Sequence, residues 1–179
     1  MPIHSPFFFR GPLMPESRTK GRTASLSQRK DVANVPNRPL RIALLGYRSN
    51  PYCGGQGIYL RYLSQALAQL GHIVDVISGE PYPDLPMGVN LIPLPGLNLY
   101  GYAKPTQGLK DRGLHSMTDA LEYASFISGG FPEPYTFCRR LAAYFRSQTP
   151  DYDIVHDNQS LGSGLLSLLH SGQSVVSTI

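Results

Sequence analysis

The residues best placed to do chemistry are a cluster of glycines, Gly54-Gly55-Gln56-Gly57, between an apolar run and an amphipathic one. Glycine brings no reactive side chain; what it offers is backbone. A strand that feeds a helix through glycines brings unpaired N–H groups and the positive end of a helix dipole to one point. That arrangement binds anions, phosphates above all. A glycine cluster also serves as a plain flexible turn. Its place at a helix start after the first strand favours the anion site. A dinucleotide fingerprint needs Gly-x-Gly-x-x-Gly in a tight turn directly after the strand. Here Gly55-x-Gly57 is followed by Leu60 at the third position, and the loop is longer than that turn permits. Glu80, near the end of the second strand, still offers a ribose-binding acid, so a dinucleotide-dependent oxidoreductase stays an alternative. A Gly-Lys-Ser/Thr phosphate loop is absent, which argues against an ATPase.

The elements that must position these glycines alternate between strand and helix. Arg41–Gly46 is a short continuous apolar run, as in a parallel strand covered on both faces. The helix after it places Tyr59, Leu63, Ala66, Leu67 and Leu70 at helical spacing and stops at Gly71. Ile73–Ser78 is a β-branched strand, Val89–Leu94 a third strand, and residues 96–116, with four glycines, an extended loop. So long a loop is uncommon in a compact domain and is often functional. Helices follow over Met117–Ser128 and Pro134–Gln148, then a strand at Asp153–His156, a helix at Ser160–His170 and a strand at Ser174–Ile179. The pattern is α/β, a parallel sheet with helices on both faces. Ligands bind such sheets at the carboxyl ends of the strands. Two loops meet at that rim, Tyr47–Gly57 and Asp157–Ser160. The last strand has nothing after its carboxyl end, so the chain reads as cut off.

Composition narrows the classes. The 179 residues suit one well-buried domain, and 41% hydrophobic with 16% charged residues is globular. The net charge is +4. Residues 1–38 hold seven basic and two acidic side chains, so the rest of the chain is slightly acidic. The basic pI therefore belongs to that tail and does not argue for nucleic acid. Residues 1–38 read as a disordered basic extension rather than an organelle transit peptide, and 39–179 as the domain. No run of about 18 apolar residues is present, so no membrane-spanning helix is expected. Cys53 and Cys138 lack metal-ligand spacing, which argues against a zinc site; a single disulfide is the alternative to two reduced thiols in a cytoplasmic protein, and the thiols fit better.

From Arg41 to Val76 the chain resembles the start of family 4 glycosyltransferases: a strand, a Pro-x-x-Gly-Gly-x-Gly loop, a helix ending Ala-x-x-Gly-His, and a Val-x-Val strand. Pro51, Gly54, Gly55, Gly57, Leu67, Gly71 and His72 carry the match, and Asp153-Ile154-Val155-His156 resembles the family's Asp-x-Val-His strand end. The resemblance covers about residues 39–179. It implies a Rossmann-like doubly wound parallel sheet, the N-terminal half of a two-domain GT-B enzyme. It also implies transfer of a sugar, with retention and without a metal or other cofactor, from a nucleotide-sugar donor to a hydroxyl acceptor. The acceptor is a sugar, lipid-linked sugar or small molecule, and peripheral membrane contact is compatible with it.

By the same resemblance Gly54, Gly55, Gln56 and Gly57 face the donor diphosphate. Many members end the later strand His-x-His, with the second histidine near the reacting sugar; here that position is Asn158. Asparagine hydrogen-bonds a hydroxyl but relays no proton near neutral pH. Asp157 and Asn158 are the candidate catalytic pair, Asp157 orienting the acceptor hydroxyl or capping a helix. Tyr100, Tyr102, Lys104 and Gln159 are the candidate acceptor contacts. Tyr59 is expected in the core, His72 as a packing or capping residue, and Arg139-Arg140 on a solvated helix face, where acidic lipid is a secondary reading. The family's Glu-x7-Glu donor motif is absent, so the chain alone is expected to show little or no transferase activity. A non-catalytic sugar- or nucleotide-binding remnant is the other alternative.

Overall fold

A computed structural model describes residues 38–158 and 175–178. The elements run β1 (Arg41–Gly46), α1 (Gly55–Gln69), β2 (Ile73–Ser78), β3 (Asn90–Pro93), a 3₁₀ turn (Leu99–Gly101), α2 (Pro105–Arg112), α3 (Met117–Ile127), α4 (Glu133–Gln148), β4 (Ile154–Asn158) and β5 (Val175–Thr178). All five strands pair in parallel, in the order β3-β2-β1-β4-β5. From β1 the chain first builds outward through β2 and β3, then returns to place β4 on β1's other edge. Strand order therefore reverses between β1 and β4, and a crevice opens at their carboxyl ends. The sheet is Rossmann-like, of the kind found in half of a GT-B enzyme.

The apolar run of β1 feeds two cores at once, because successive side chains point to opposite faces. Ala43 and Leu45 join Ile77, Phe137, Leu141, Phe145 and Val155 on the α4 side. Ile42 and Leu44 join Leu60, Val74 and Val76 on the α1 side. Full burial of each Leu or Ile stabilises the fold by about 1.5–3 kcal/mol. The face that α1 buries is centred on Gly57, Leu60 and Ser64, with Leu63, Leu67 and Ala68 flanking it. It is rotated from the stripe expected from apolar spacing. Tyr59 is 42% exposed and Leu70 is 73% exposed, so neither is a core residue. The glycine at 57 is what sets this rotation, as the site geometry below makes plain.

Three more expectations need correcting. Residues 96–116 are not an extended loop: they hold the 3₁₀ turn and α2, which starts on Pro105 and ends on Gly113 at φ 71°. Pro at the start and Gly at the end are the signals that frame a short helix. Asp157 and Asn158 lie inside β4, not in a loop after it, because the ladder to β5 extends to Asn158 and Thr178. Arg140 is not on a solvated face. It turns inward to pair with Asp119 and with buried Glu122, both at 2.6 Å. His72 caps as expected, its Nδ1 accepting the Leu40 N–H. The tail, apart from Arg38, and the helix expected at Ser160–His170 lie outside the described residues.

The amino ends of β1 and β4 are joined through Asp153. Its carboxylate accepts from Arg38 Nη2 at 2.5 Å, Arg38 Nη1 at 2.9 Å and the Arg41 N–H at 2.8 Å. The Arg38 hydrogen bonds, then that of Arg41, hold the Asp153 carboxyl below the usual aspartate range. A lowered native pKa adds stability above the unfolded value and loses it as pH falls through the native one. Urea midpoints measured across pH should therefore fall on acidification below about pH 4. In Asp153→Asn the midpoint should be lower at neutral pH, and its acid slope shallower than the parent's.

Candidate functional site

The loop after β1 is pinned before it reaches the helix. Ser49 is fully buried, accepts from the Ser78 hydroxyl at 2.9 Å, and donates its N–H to the Pro81 carbonyl at 3.0 Å. A β-carbon on Gly46 would lie 2.4 Å from Ser49 Oγ and 2.7 Å from Leu60 Cδ1. Asn50 Oδ1 accepts from the N–H groups of Tyr52 at 2.8 Å and Cys53 at 3.3 Å, an Asx turn that folds the loop back. Gly54 then takes φ 80° at the N-cap of α1.

The helix begins at Gly55, so Gly55, Gln56 and Gly57 form its first turn rather than part of a loop. No side chain caps this end and the first turn carries no acid, which leaves the positive dipole end unneutralised. The three glycines divide the work. Gly54 and Gly55, with Gln56, line an open cleft of about 400 Å³ together with Tyr47, Arg48, Asn50 and Cys53. Gly57 lies behind it, buried. A β-carbon there would sit 2.2 Å from the Asn50 carbonyl oxygen and 2.6 Å from that of Ser49. Its role is close approach of loop to helix.

Arg48 is the cleft residue that sequence reasoning missed. It donates to both carboxylate oxygens of Glu133, at 2.8 and 3.1 Å, and its guanidinium lies 5.7 Å from the Tyr100 ring centre. Burial raises the Glu133 carboxyl above its usual range, with Arg48 opposing the shift. An arginine beside a glycine loop was visible in the sequence, yet nothing there marked it as lying in the cleft.

Across the crevice β4 ends in His156-Asp157-Asn158. Strand alternation puts Asp157 on the α4 face with Val155, and His156 and Asn158 on the α1 face. Asp157 and Asn158 therefore do not converge on one atom. Asn158 is 6% exposed, and among the described residues Asn158 Nδ2 and His156 Nε2 are buried without a hydrogen-bond partner. The Tyr59 ring is 6.3 Å from that of His156. Burial lowers the His156 pKa, partly offset by Asp157, so the imidazole is neutral at pH 7. Gln159 lies outside the described residues.

The candidate acceptor residues separate. Tyr100 reaches the cleft through Arg48, and its ring packs on Phe126 and Phe131 at 4.8 and 5.5 Å. Burial, and then Glu133, push its hydroxyl above the ordinary tyrosine range. Tyr102 instead accepts from Arg112 Nε at 3.4 Å, on an arginine that pairs with Glu80 at 2.7 Å. That pairing also occupies the acid proposed for a dinucleotide ribose. Lys104 is the exposed N-cap residue of α2. Among the described residues, no three or more His, Cys, Asp or Glu side chains form a group that could hold a metal ion.

Comparison with known proteins bears directly on this geometry. Residues 53–179 match the family model described as Glycosyltransferase Family 4. Over 141 residues the chain is 45% identical to an MMP alpha-(1->4)-mannosyltransferase of Mycolicibacterium hassiacum, a match that covers 78% of this chain and 34% of that protein. The chain thus spans about a third of the relative's length.

The glycines give a graded test. Gly57→Ala drives a β-carbon into backbone and should cost about 1–3 kcal/mol in urea unfolding. Gly54→Ala has open space but forces a side chain onto φ 80°, ψ 155°, a region essentially restricted to glycine, and should cost about 1–3 kcal/mol. Gly55→Ala has open space and should be close to neutral.

Proposed function

The chain belongs to glycosyltransferase family 4, and on that premise we propose that it carries the acceptor side and the diphosphate loop of a mannosyltransferase. The reaction is transfer of a mannosyl group, with retention, from a nucleotide diphosphate donor to a hydroxyl of a glycan acceptor. The mannosyl assignment rests on the Mycolicibacterium hassiacum relative. The observation that carries the reading is the cleft after β1, where the start of α1 and Arg48 face the same space.

As the anomeric carbon bonds to the acceptor hydroxyl oxygen, its bond to the diphosphate breaks, and the departing diphosphate oxygen gains negative charge and takes up the hydroxyl's proton. Donors fixed in advance at that point lower the barrier, because they need no reorganisation as charge develops. The first-turn amides of Gly55 and Gln56 supply such donors, and Arg48 supplies a cation. Arg48 is held by Glu133 and Tyr100, so it is oriented before a ligand arrives. Asn158 supplies an amide donor already stripped of water, suited to holding a sugar hydroxyl in place. It cannot take that hydroxyl's proton, and the role assigned to it is positioning. Asp157, on the opposite face, supports the end of β4 in this reading.

Holding the donor's sugar and nucleotide falls to the second half that the family resemblance implies, so the 179 residues alone should turn over slowly. A chimera separates this proposal from a binding remnant. Residues 38–179 would replace the matching segment of the Mycolicibacterium hassiacum enzyme, and mannosyl transfer would be followed by product mass and linkage. Expected is transfer with the anomeric configuration of the donor retained, and a loss of about 10²-fold or more in kcat with Arg48→Ala. A folded chimera without transfer would favour the remnant. Rapid turnover by the 179-residue chain alone would contradict the division of labour.

A further inference from the structure

We infer that Phe131, with Tyr47 and Tyr100, forms an aromatic rim on which a pyranose ring of the acceptor stacks beside the diphosphate cleft. The inference rests on the glycosyltransferase reading and adds to it the place where acceptor sugar is held. Phe131 is 53% exposed and Tyr100 is 42% exposed. Their rings meet edge to face, with centroids 5.5 Å apart, and Tyr47 meets Phe131 in the same manner at 6.1 Å. These contacts use part of each ring and leave the Phe131 side chain open to solvent.

The loop that presents Phe131 is clamped on both sides. Before it, α3 ends in a Schellman motif. The Gly130 N–H bonds to the Ser125 carbonyl at 2.8 Å and the Gly129 N–H to that of Phe126 at 3.0 Å, with Gly129 at φ 85°. A β-carbon on Gly130 would lie 2.5 Å from Ser125 Oγ. After it, the Pro132 carbonyl accepts the Thr136 N–H at 2.9 Å as α4 begins. The Tyr100 hydroxyl also donates to the Gly130 carbonyl at 3.3 Å. A large apolar side chain is therefore held outward by a rigid backbone, where a mobile loop would let it fold back onto the core.

The chemistry that matches such a surface is a sugar. A pyranose has one face of C–H groups whose hydrogens carry partial positive charge, and an aromatic face is negative. Tyr47 belongs to both the rim and the cleft, so a ring stacked there lies next to the anion site. Arg48, over Tyr100, adds donors at the same edge. Rigid aromatics also lose little conformational entropy on binding, which lowers the cost of holding a glycan.

Calorimetric titration of the chain with an α-(1→4)-linked manno-oligosaccharide tests the rim. Saturation transfer from aromatic protons to the sugar would accompany it. Expected is binding that Phe131→Ala and Phe131→Leu each weaken about tenfold and Phe131→Tyr preserves. Circular dichroism should show all three variants folded, and their affinity for a nucleoside diphosphate should be unchanged. Equal oligosaccharide affinity in Phe131→Ala, or no binding by the parent chain, would overturn the inference. Retained nucleoside diphosphate binding in that case would leave the family reading of the glycine cleft intact. Phe131-dependent binding to phosphatidylserine vesicles, without oligosaccharide binding, would assign the rim to lipid and equally overturn it.

Discussion

No β-carbon fits at Gly57, and the arrangement of the crevice follows from that. With hydrogen alone at this position, the first turn of α1 settles against the Asn50 and Ser49 carbonyls. That contact rotates the helix so that Leu60 and Ser64 face the sheet, and it turns Tyr59 outward towards His156. It also fixes the loop, already tied to β2 through Ser49 and Ser78, so that Gly54, Gly55 and Gln56 are the parts of the turn left facing the cleft. Packing and exposure to the cleft are separate duties within four residues. One glycine serves contact, and its neighbours leave backbone accessible.

Charge organises the opposite side of the rim. Arg48 pairs with Glu133, Arg112 with Glu80, and Arg140 with Glu122 and Asp119. The first two tie α4 and α2 to the segments that follow β1 and β2, and the third joins the consecutive helices α3 and α4. Partly buried pairs of this kind add little net stability, since desolvation offsets much of the attraction, but breaking one strands its partner. Their value here is placement: the Arg48–Glu133 pair brings a cation to the cleft beside the Tyr100 ring, and Phe131 packs instead against Tyr100 and Tyr47.

Most of the scaffold was legible in the sequence because parallel strands buried on both faces read as short apolar runs. β1 and β2 have the bounds expected of them, and glycines frame α1 at both ends as expected. What failed had physical reasons. α2 carries so little apolar surface, and so many glycines surround it, that helical period could not signal it. The stripe of α1 was misread because Gly57 and Ser64, not apolar residues, occupy its buried face. Asp157 and Asn158 looked like a loop because the ladder that extends β4 comes from β5, far along the chain. Arg48, Glu133 and Phe131 could not be found from spacing, since only the fold brings them together.

The central claim is that the start of α1 and Arg48 form one anion site. Two-dimensional amide NMR of the chain, titrated with a nucleoside diphosphate, addresses it most directly. Expected are saturable shifts of the Gly54, Gly55 and Gln56 amides and of the Arg48 side chain, with much smaller changes for the matching nucleoside without phosphates. Shifts confined to other parts of the chain, or equal shifts from the nucleoside alone, would contradict it.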